Sequence, residues 1–90
     1  MEKVYIVISD FRYEKIDAIQ KRIEKVCKDK EKAEECLAKL AEKAKSYALE
    51  NFDIDELEIE DGTADSFSIY KNYEYDSYHE DIWIVEKPLV

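Results

Sequence analysis

One histidine is available for chemistry, His79, and three acids lie near it in the chain: Asp76, Glu80 and Asp81. A single imidazole with carboxylates can hold a divalent ion weakly. The same residues also make a solvated acidic hairpin tip, and the common zinc sites draw on more nitrogen or sulfur ligands than this. Cys27 and Cys36 have no second cysteine pair, and they read as two small apolar core residues rather than a metal or redox centre. No Ser or Cys has a histidine and an acid evidently around it. Gly62 is the sole glycine, so there is no phosphate-cradling loop. Clustered carboxylates could support hydrolysis with Mg²⁺, but a small chain without Gly-rich loops offers little room for a deep pocket. A non-enzymatic protein with no metal and no cofactor is expected.

The aromatics suggest binding instead. Tyr70, Tyr73, Tyr75, Tyr78 and Trp83 could stack on bases. A stacking platform needs Lys or Arg beside it, and here Glu74, Asp76, Glu80 and Asp81 are interleaved. Direct binding of DNA or RNA is therefore disfavoured, and the opposite role fits better. Acids along strands stand several Å apart, comparable with phosphate spacing. Tyr is also enriched at interface hot spots. The candidate partner-binding set is Asp53, Asp55, Glu56, Glu58, Glu60, Asp65, Tyr70, Glu74, Asp76, Tyr78, Glu80 and Asp81. Taken singly, the aromatics among Phe67, Ile69, Tyr73, Tyr75 and Trp83 also read as core or cross-strand pairs.

The charge distribution points the same way. The 90 residues carry a net charge of -9. Residues 1–50 hold 12 Lys/Arg and 11 Asp/Glu, a net of +1, whereas residues 51–90 hold 2 and 12, a net of -10. Such a field repels phosphates and anionic membranes and attracts basic surfaces. It also keeps a small protein soluble without any partner. With 46% hydrophobic residues, one Gly and one Pro, the chain can build a core and has no linker, so a single domain over residues 1–90 is expected. No long uncharged apolar run marks a membrane span, and no apolar leader follows Met1. A cytoplasmic protein with reduced cysteines is the expectation.

The elements that would position these groups are read from period. Val4–Ile8 is a continuous β-branched and aromatic run, a buried central strand. Residues 10–28 are ambiguous. Ile16, Ile19, Ile23 and Val26 are spaced as a helical stripe, yet Phe11-Arg12-Tyr13 alternates and residues 23–27 could be a strand. The clearest helix spans about 30–50, with Asp29 as N-cap and Ala33, Leu37, Leu40, Ala44 and Tyr47 as its apolar stripe. After Asn51 the period becomes two. Asp53, Asp55, Glu58 and Glu60 would point outward from one strand, with a bulge or bend at Asp55-Glu56 and a turn at Asp61-Gly62. A C-terminal β-hairpin over about 66–87 follows. Phe67, Ile69, Tyr73 and Tyr75 lie on one face and Tyr70 on the other, with a turn at residues 76–79, a last strand at Ile82–Val85, and Pro88 ending it. The fold class is α+β: a mostly antiparallel sheet packed against one or two helices.

The run Val4-Tyr5-Ile6-Val7, the stretch Ile23-Glu24-Lys25-Val26-Cys27 leading into Glu31-Lys32-Ala33-Glu34-Glu35, and Phe52-Asp53-Ile54-Asp55-Glu56-Leu57-Glu58-Ile59 together form a pattern. It resembles that of small, mostly uncharacterised phage and bacterial proteins, with a "VYIV" strand, an "IExVF" strand entering an "EKAEE" helix, and a "YxIEEYEL" strand. The resemblance covers roughly residues 1–60 and implies that residues 22–28 are a strand, against the helical stripe. Two features depart from it: the segment between Ser9 and Ile23 is longer, and Cys27 and Cys36 stand at the family's aromatic positions. The resemblance implies a mobile-element context and no chemistry; that a phage protein of this size binds a host protein is analogy.

The expected function is thus a protein-binding module. Its concrete form is a phage or mobile-element inhibitor of a host nucleic-acid-binding defence protein, of the anti-CRISPR or anti-restriction type. It would compete for the partner's basic surface through acidic, DNA-mimic-like residues. The alternative is a homo-oligomeric structural or regulatory protein that associates through its sheet edge or Tyr-rich hairpin, with an acidic face that only solubilises.

Overall fold

The computed structural model describes residues 2–71 and 77–88. Five strands and one helix follow in the order β1 (Lys3–Tyr13), β2 (Ala18–Cys27), α1 (Lys30–Asn51), β3 (Glu58–Glu60), β4 (Ser66–Lys71) and β5 (Tyr78–Pro88). The strands form one antiparallel sheet in the order β2-β1-β5-β4-β3, with α1 packed on one face. The α+β class expected from the sequence is the class observed.

The ambiguous segment is a hairpin. β1 runs on to Tyr13, a 3₁₀ turn over Glu14–Ile16 reverses the chain, and Asp17 closes the turn in the left-handed region at φ 54°. Asp tolerates that region better than most non-glycine residues. The helical reading of Ile16, Ile19, Ile23 and Val26 is therefore corrected, and the strand implied by the family resemblance is found. The cause of the false period is a β-bulge. Val7 faces Lys25 while Ile8 faces Ile23, so Glu24 is the extra residue. A strand exposes every second residue on one face; the bulge lengthens one step to three. Ile19, Lys21, Ile23 and Val26 thus share a face, and their apolar members mimic helical spacing.

α1 forms where its sequence starts and stops it. Asp29 accepts a hydrogen bond from the Glu31 backbone N–H at 2.9 Å, satisfying one donor that the first turn leaves open. Ala33, Leu37, Ala41, Ala44 and Ala48 are its buried line, with Leu40 and Tyr47 packed at the flank. Four alanines in five positions let the helix axis lie close to the sheet. At the far end Phe52 turns inward, edge-on to Tyr13 at 5.4 Å between ring centroids.

The core lies between α1 and one sheet face. β1 contributes Val7 and Tyr13, β4 Phe67 and Ile69, and β5 Tyr78 and Ile82. Tyr78 is its centre, 1% exposed and within 6 Å of the rings of Phe11, Tyr13, Tyr47 and Phe52. Edge-on and tilted contacts of this kind add to plain area burial. After α1 the chain departs from the expected single acidic strand. Ile54–Glu56 form a 3₁₀ turn, and only Glu58–Glu60 pair as strand. Asp53 and Asp55 therefore stand on the turn and not on the strand.

Candidate functional site: an acidic flank

The twelve sequence-selected residues divide into four groups. Glu58 and Glu60 stand exposed on β3, the edge strand, opposite Tyr70 and Ser68 of β4. Two residues apart on a strand, their side chains share a face about 6.8 Å apart. Asp53 and Asp55 are exposed at one end of this edge, and Asp65 is exposed in the link to β4. Asp53, Asp55, Glu58 and Glu60 follow one another along this edge, whereas Asp65 lies at the other end of β4, its carbonyl accepting from the Ile84 N–H.

A second group is partly neutralised. Glu56 pairs with Lys71 at 3.4 Å, and Lys71 also lies over the Phe52 ring at 4.6 Å. Asp81 accepts from the Ser68 hydroxyl at 2.5 Å and pairs with His79 at 2.7 Å. His79 in turn stacks on Tyr70, with centroids 5.5 Å apart. This row is tied together across β4 and β5 on the sheet face that α1 does not cover.

The third group faces inward. Tyr78 is the centre of the core, and this removes it from the candidate surface; it and His79 belong to β5 and not to a turn. The alternation that placed an acid on either side of it puts Glu80 on the same face. There the Tyr78 hydroxyl donates to Glu80 Oε2 at 2.7 Å. Burial raises the Glu80 pKa, opposed by that hydrogen bond and by Arg22. Burial also pushes the Tyr78 hydroxyl strongly up, reinforced by the hydrogen bond and the charge of Glu80. Glu80 lines a cleft of about 280 Å³ between β2 and α1, together with Ser9, Arg22, Glu24 and Tyr47. Ser9 donates to Glu24 at 2.8 Å, and Arg22 pairs with the same carboxylate oxygen at 2.6 Å. Within the cleft Ser9, Glu24 and Arg22 are thus bonded to one another, and Glu80 is bonded to Tyr78 beneath it. The fourth group, Glu74 and Asp76, lies outside the described residues, as do Tyr73 and Tyr75.

The structure adds acids that the sequence reading missed. A groove of about 580 Å³ runs between α1 and the segment joining β3 to β4. Leu37, Ala38, Ala41 and Phe67 contribute apolar lining, and Glu31, Glu34, Glu35, Glu42 and Asp61 line it as well. Lys45 is the basic residue among the lining, paired with Asp61 at 3.3 Å and Glu42 at 3.8 Å. The helix acids were hidden in a half of the chain whose net charge is only +1. Their signal was present in the spacing: positions 31, 34, 35, 38 and 42 lie on one helix flank. Asp61 joins this groove to the β3 edge.

Cys27 is buried, Cys36 is half-buried, and both are free thiols. Burial holds the Cys36 thiol above its ordinary pKa, opposed by Lys25, which lowers its reactivity. No group of three or more His, Cys, Asp or Glu suited to a metal ion forms among the described residues. No helix among them is long and apolar enough to cross a membrane.

A family model described as a domain of unknown function, DUF7336, matches residues 2–67. No curated protein and no solved structure matches the chain. The chain belongs to the DUF7336 family, whose span takes in β1, β2, α1, β3 and the start of β4.

Proposed function

Membership in a family of unknown function leaves the activity to be read from the surface, and we propose that this protein is a non-enzymatic module that binds a basic protein surface through its acidic flank. The observation that carries this reading is the meeting of two acidic stretches far apart in sequence. Glu31, Glu34, Glu35 and Glu42 of α1 and Asp61 after β3 line one groove, and Glu58 and Glu60 stand next to it on the edge strand, on the sheet face turned away from α1. The partner that suits such a flank is a nucleic-acid-binding protein, whose Lys and Arg hold phosphates when free. Binding would then compete with nucleic acid, associate fast and weaken with salt. The apolar groove lining adds a contact that a purely solubilising face does not need.

The test is capture of basic proteins from a nuclease-treated bacterial lysate on the immobilised protein. Captured protein should elute at about 0.5 M salt and be displaced by added duplex DNA. The quadruple variant E58K/E60K/D53K/D55K should lose at least tenfold in capture while keeping its far-UV circular dichroism. Capture that DNA does not displace, or that the charge-reversed variant retains, would overturn the reading.

A further inference from the structure

α1 covers one face of the sheet, and among the described residues no element covers the other. Cross-strand register assigns its residues. β2 presents Ile19, Lys21, Ile23 and Val26; β1 presents Ile6, Ile8, Asp10 and Arg12; β5 presents His79, Asp81, Trp83 and Val85. Ile6 lies opposite Val26 on one side and Val85 on the other, and Ile8 lies between Ile23 and Trp83. Six large apolar side chains on three adjacent strands thus make one continuous patch. Ile19, Ile23 and Val26 are 72%, 63% and 57% exposed. Sheets with one solvated face ordinarily alternate apolar and polar residues. The runs Val4–Ile8 and Ile82–Val85 instead carry the pattern of strands buried on both faces.

We propose that a second copy of this chain covers this face, giving a face-to-face two-fold dimer. Three observations select a second copy over another occupant. First, the face suits itself in charge. Around the apolar patch the three strands carry Asp10, Asp81, Arg12, Lys21 and Lys87, two acids and three bases, so this part of the face is close to neutral, while Glu58 and Glu60 lie on the same face beyond β4. Second, the layout is self-complementary. A two-fold axis along β1 sets β2 of one copy against β5 of the other, with Ile23 against Trp83, Val26 against Val85, and Lys21 against Asp81. Isologous contacts require this kind of reciprocity, and sheets pack face to face with strands nearly aligned. Asp10 is taken up within its own copy, its buried Oδ1 paired with Arg12 Nε at 3.5 Å. Third, the size fits. β1 has 11 residues, so the three strands measure about 36 by 14 Å, roughly 500 Å² in plan. Side chains standing off that plane raise the accessible area toward the about 800 Å² per partner of a standard interface. In this arrangement β3 overhangs the partner, and Glu58 and Glu60 stay solvated. The dimer is therefore independent of the acidic-flank reading.

Sedimentation equilibrium of the full chain, from about 1 to 200 μM, tests the proposal together with Trp83 fluorescence. The expected mass is twice the 10.7 kDa of one chain, with Trp83 emission moving to the red on dilution as the interface opens. I23E/V26E should sediment at the single-chain mass with unchanged far-UV circular dichroism, since both side chains are exposed in one copy. E58K/E60K should remain dimeric. A wild-type chain that is monomeric throughout, an I23E/V26E variant that is folded and dimeric, or an E58K/E60K variant that is monomeric would each overturn it. If I23E/V26E loses its fold, the conservative V26T must still weaken the dimer at least tenfold, and no weakening would also overturn it. A monomer whose Trp83 emission changes only with a different protein would give the face to that protein and defeat the proposal.

Discussion

The two faces of the sheet differ although the same strands make them. The face under α1 is built from Val7, Tyr13, Phe67, Ile69, Tyr78 and Ile82, all buried, and Tyr78 holds four other rings around it. The open face carries Ile6, Ile8, Ile19, Ile23, Val26, Trp83 and Val85, with no element above them among the described residues. Apolar side chains occur on both sides, so hydrophobicity alone did not decide which side became the core. The aromatics did. Phe11, Tyr13, Phe67 and Tyr78 all project towards α1, where a stripe of alanines leaves room for them, whereas the open face holds mostly β-branched residues, with Trp83 and, towards β3, Tyr70 stacked on His79. The covered face is specified by side-chain shape, and the open face by a flat, aliphatic surface suited to packing against another sheet.

The largest test of this contrast is removal of the ring at the centre of the covered face. Tyr78→Ala should cost about 3–5 kcal/mol, as large aromatic truncations in cores do, measured by urea denaturation. A loss below about 1 kcal/mol would mean that the aromatic cluster is not the core's keystone.

A second test sharpens the covered face by pH. Burial raises the Glu80 pKa, so the folded protein holds that proton more tightly than the unfolded chain, where an ordinary Glu titrates near about 4.3. The stabilisation is complete below that value and is lost as pH rises through the raised folded value. Glu80→Gln keeps an acceptor for the Tyr78 hydroxyl and does not ionise. The stability difference, variant minus wild type, should be near zero at the acid end of this window and become positive above it. A flat difference across the window would show that Glu80 is solvated.

The smallest effect belongs to the open face. Ile19→Thr replaces a side chain that is 72% exposed and lies beyond the Ile6–Ile8–Trp83 patch. The stability of the dissociated chain should move by no more than about 0.5 kcal/mol, measured at the lowest concentration that gives a signal. A loss above about 1 kcal/mol would show that the open face is already packed within one copy.

Several elements were legible in the chain. Asp29 followed by alanine-rich spacing marked α1, and its cap and length agree with the structure. The change to period two after Asn51 marked the strands, and Phe67, Ile69 and Tyr70 fell on the faces expected. Residues 23–27 are open between helix and strand in the sequence, the family resemblance tips residues 22–28 to strand, and residues 18–21 were not legible, because one bulge at Glu24 turned a strand's spacing into a helix's. The acidic flank was half legible. Glu58 and Glu60 follow from alternation, but the contribution of Glu31, Glu34, Glu35 and Glu42 needs α1 to lie beside β3–β4.

The sequence by itself determined the α+β class, the helix and its cap, and the surplus of acid. Those are set by local period, local hydrogen bonding and plain charge count. Only the tertiary structure decided that Tyr78 is core, that Glu80 faces inward, and that three aliphatic strands share one face which no other described element covers. Each of these depends on which strands become neighbours and on which side α1 lands. Alternation along a strand assigns a residue to one of two faces, and only the pairing of distant strands says which face meets the helix.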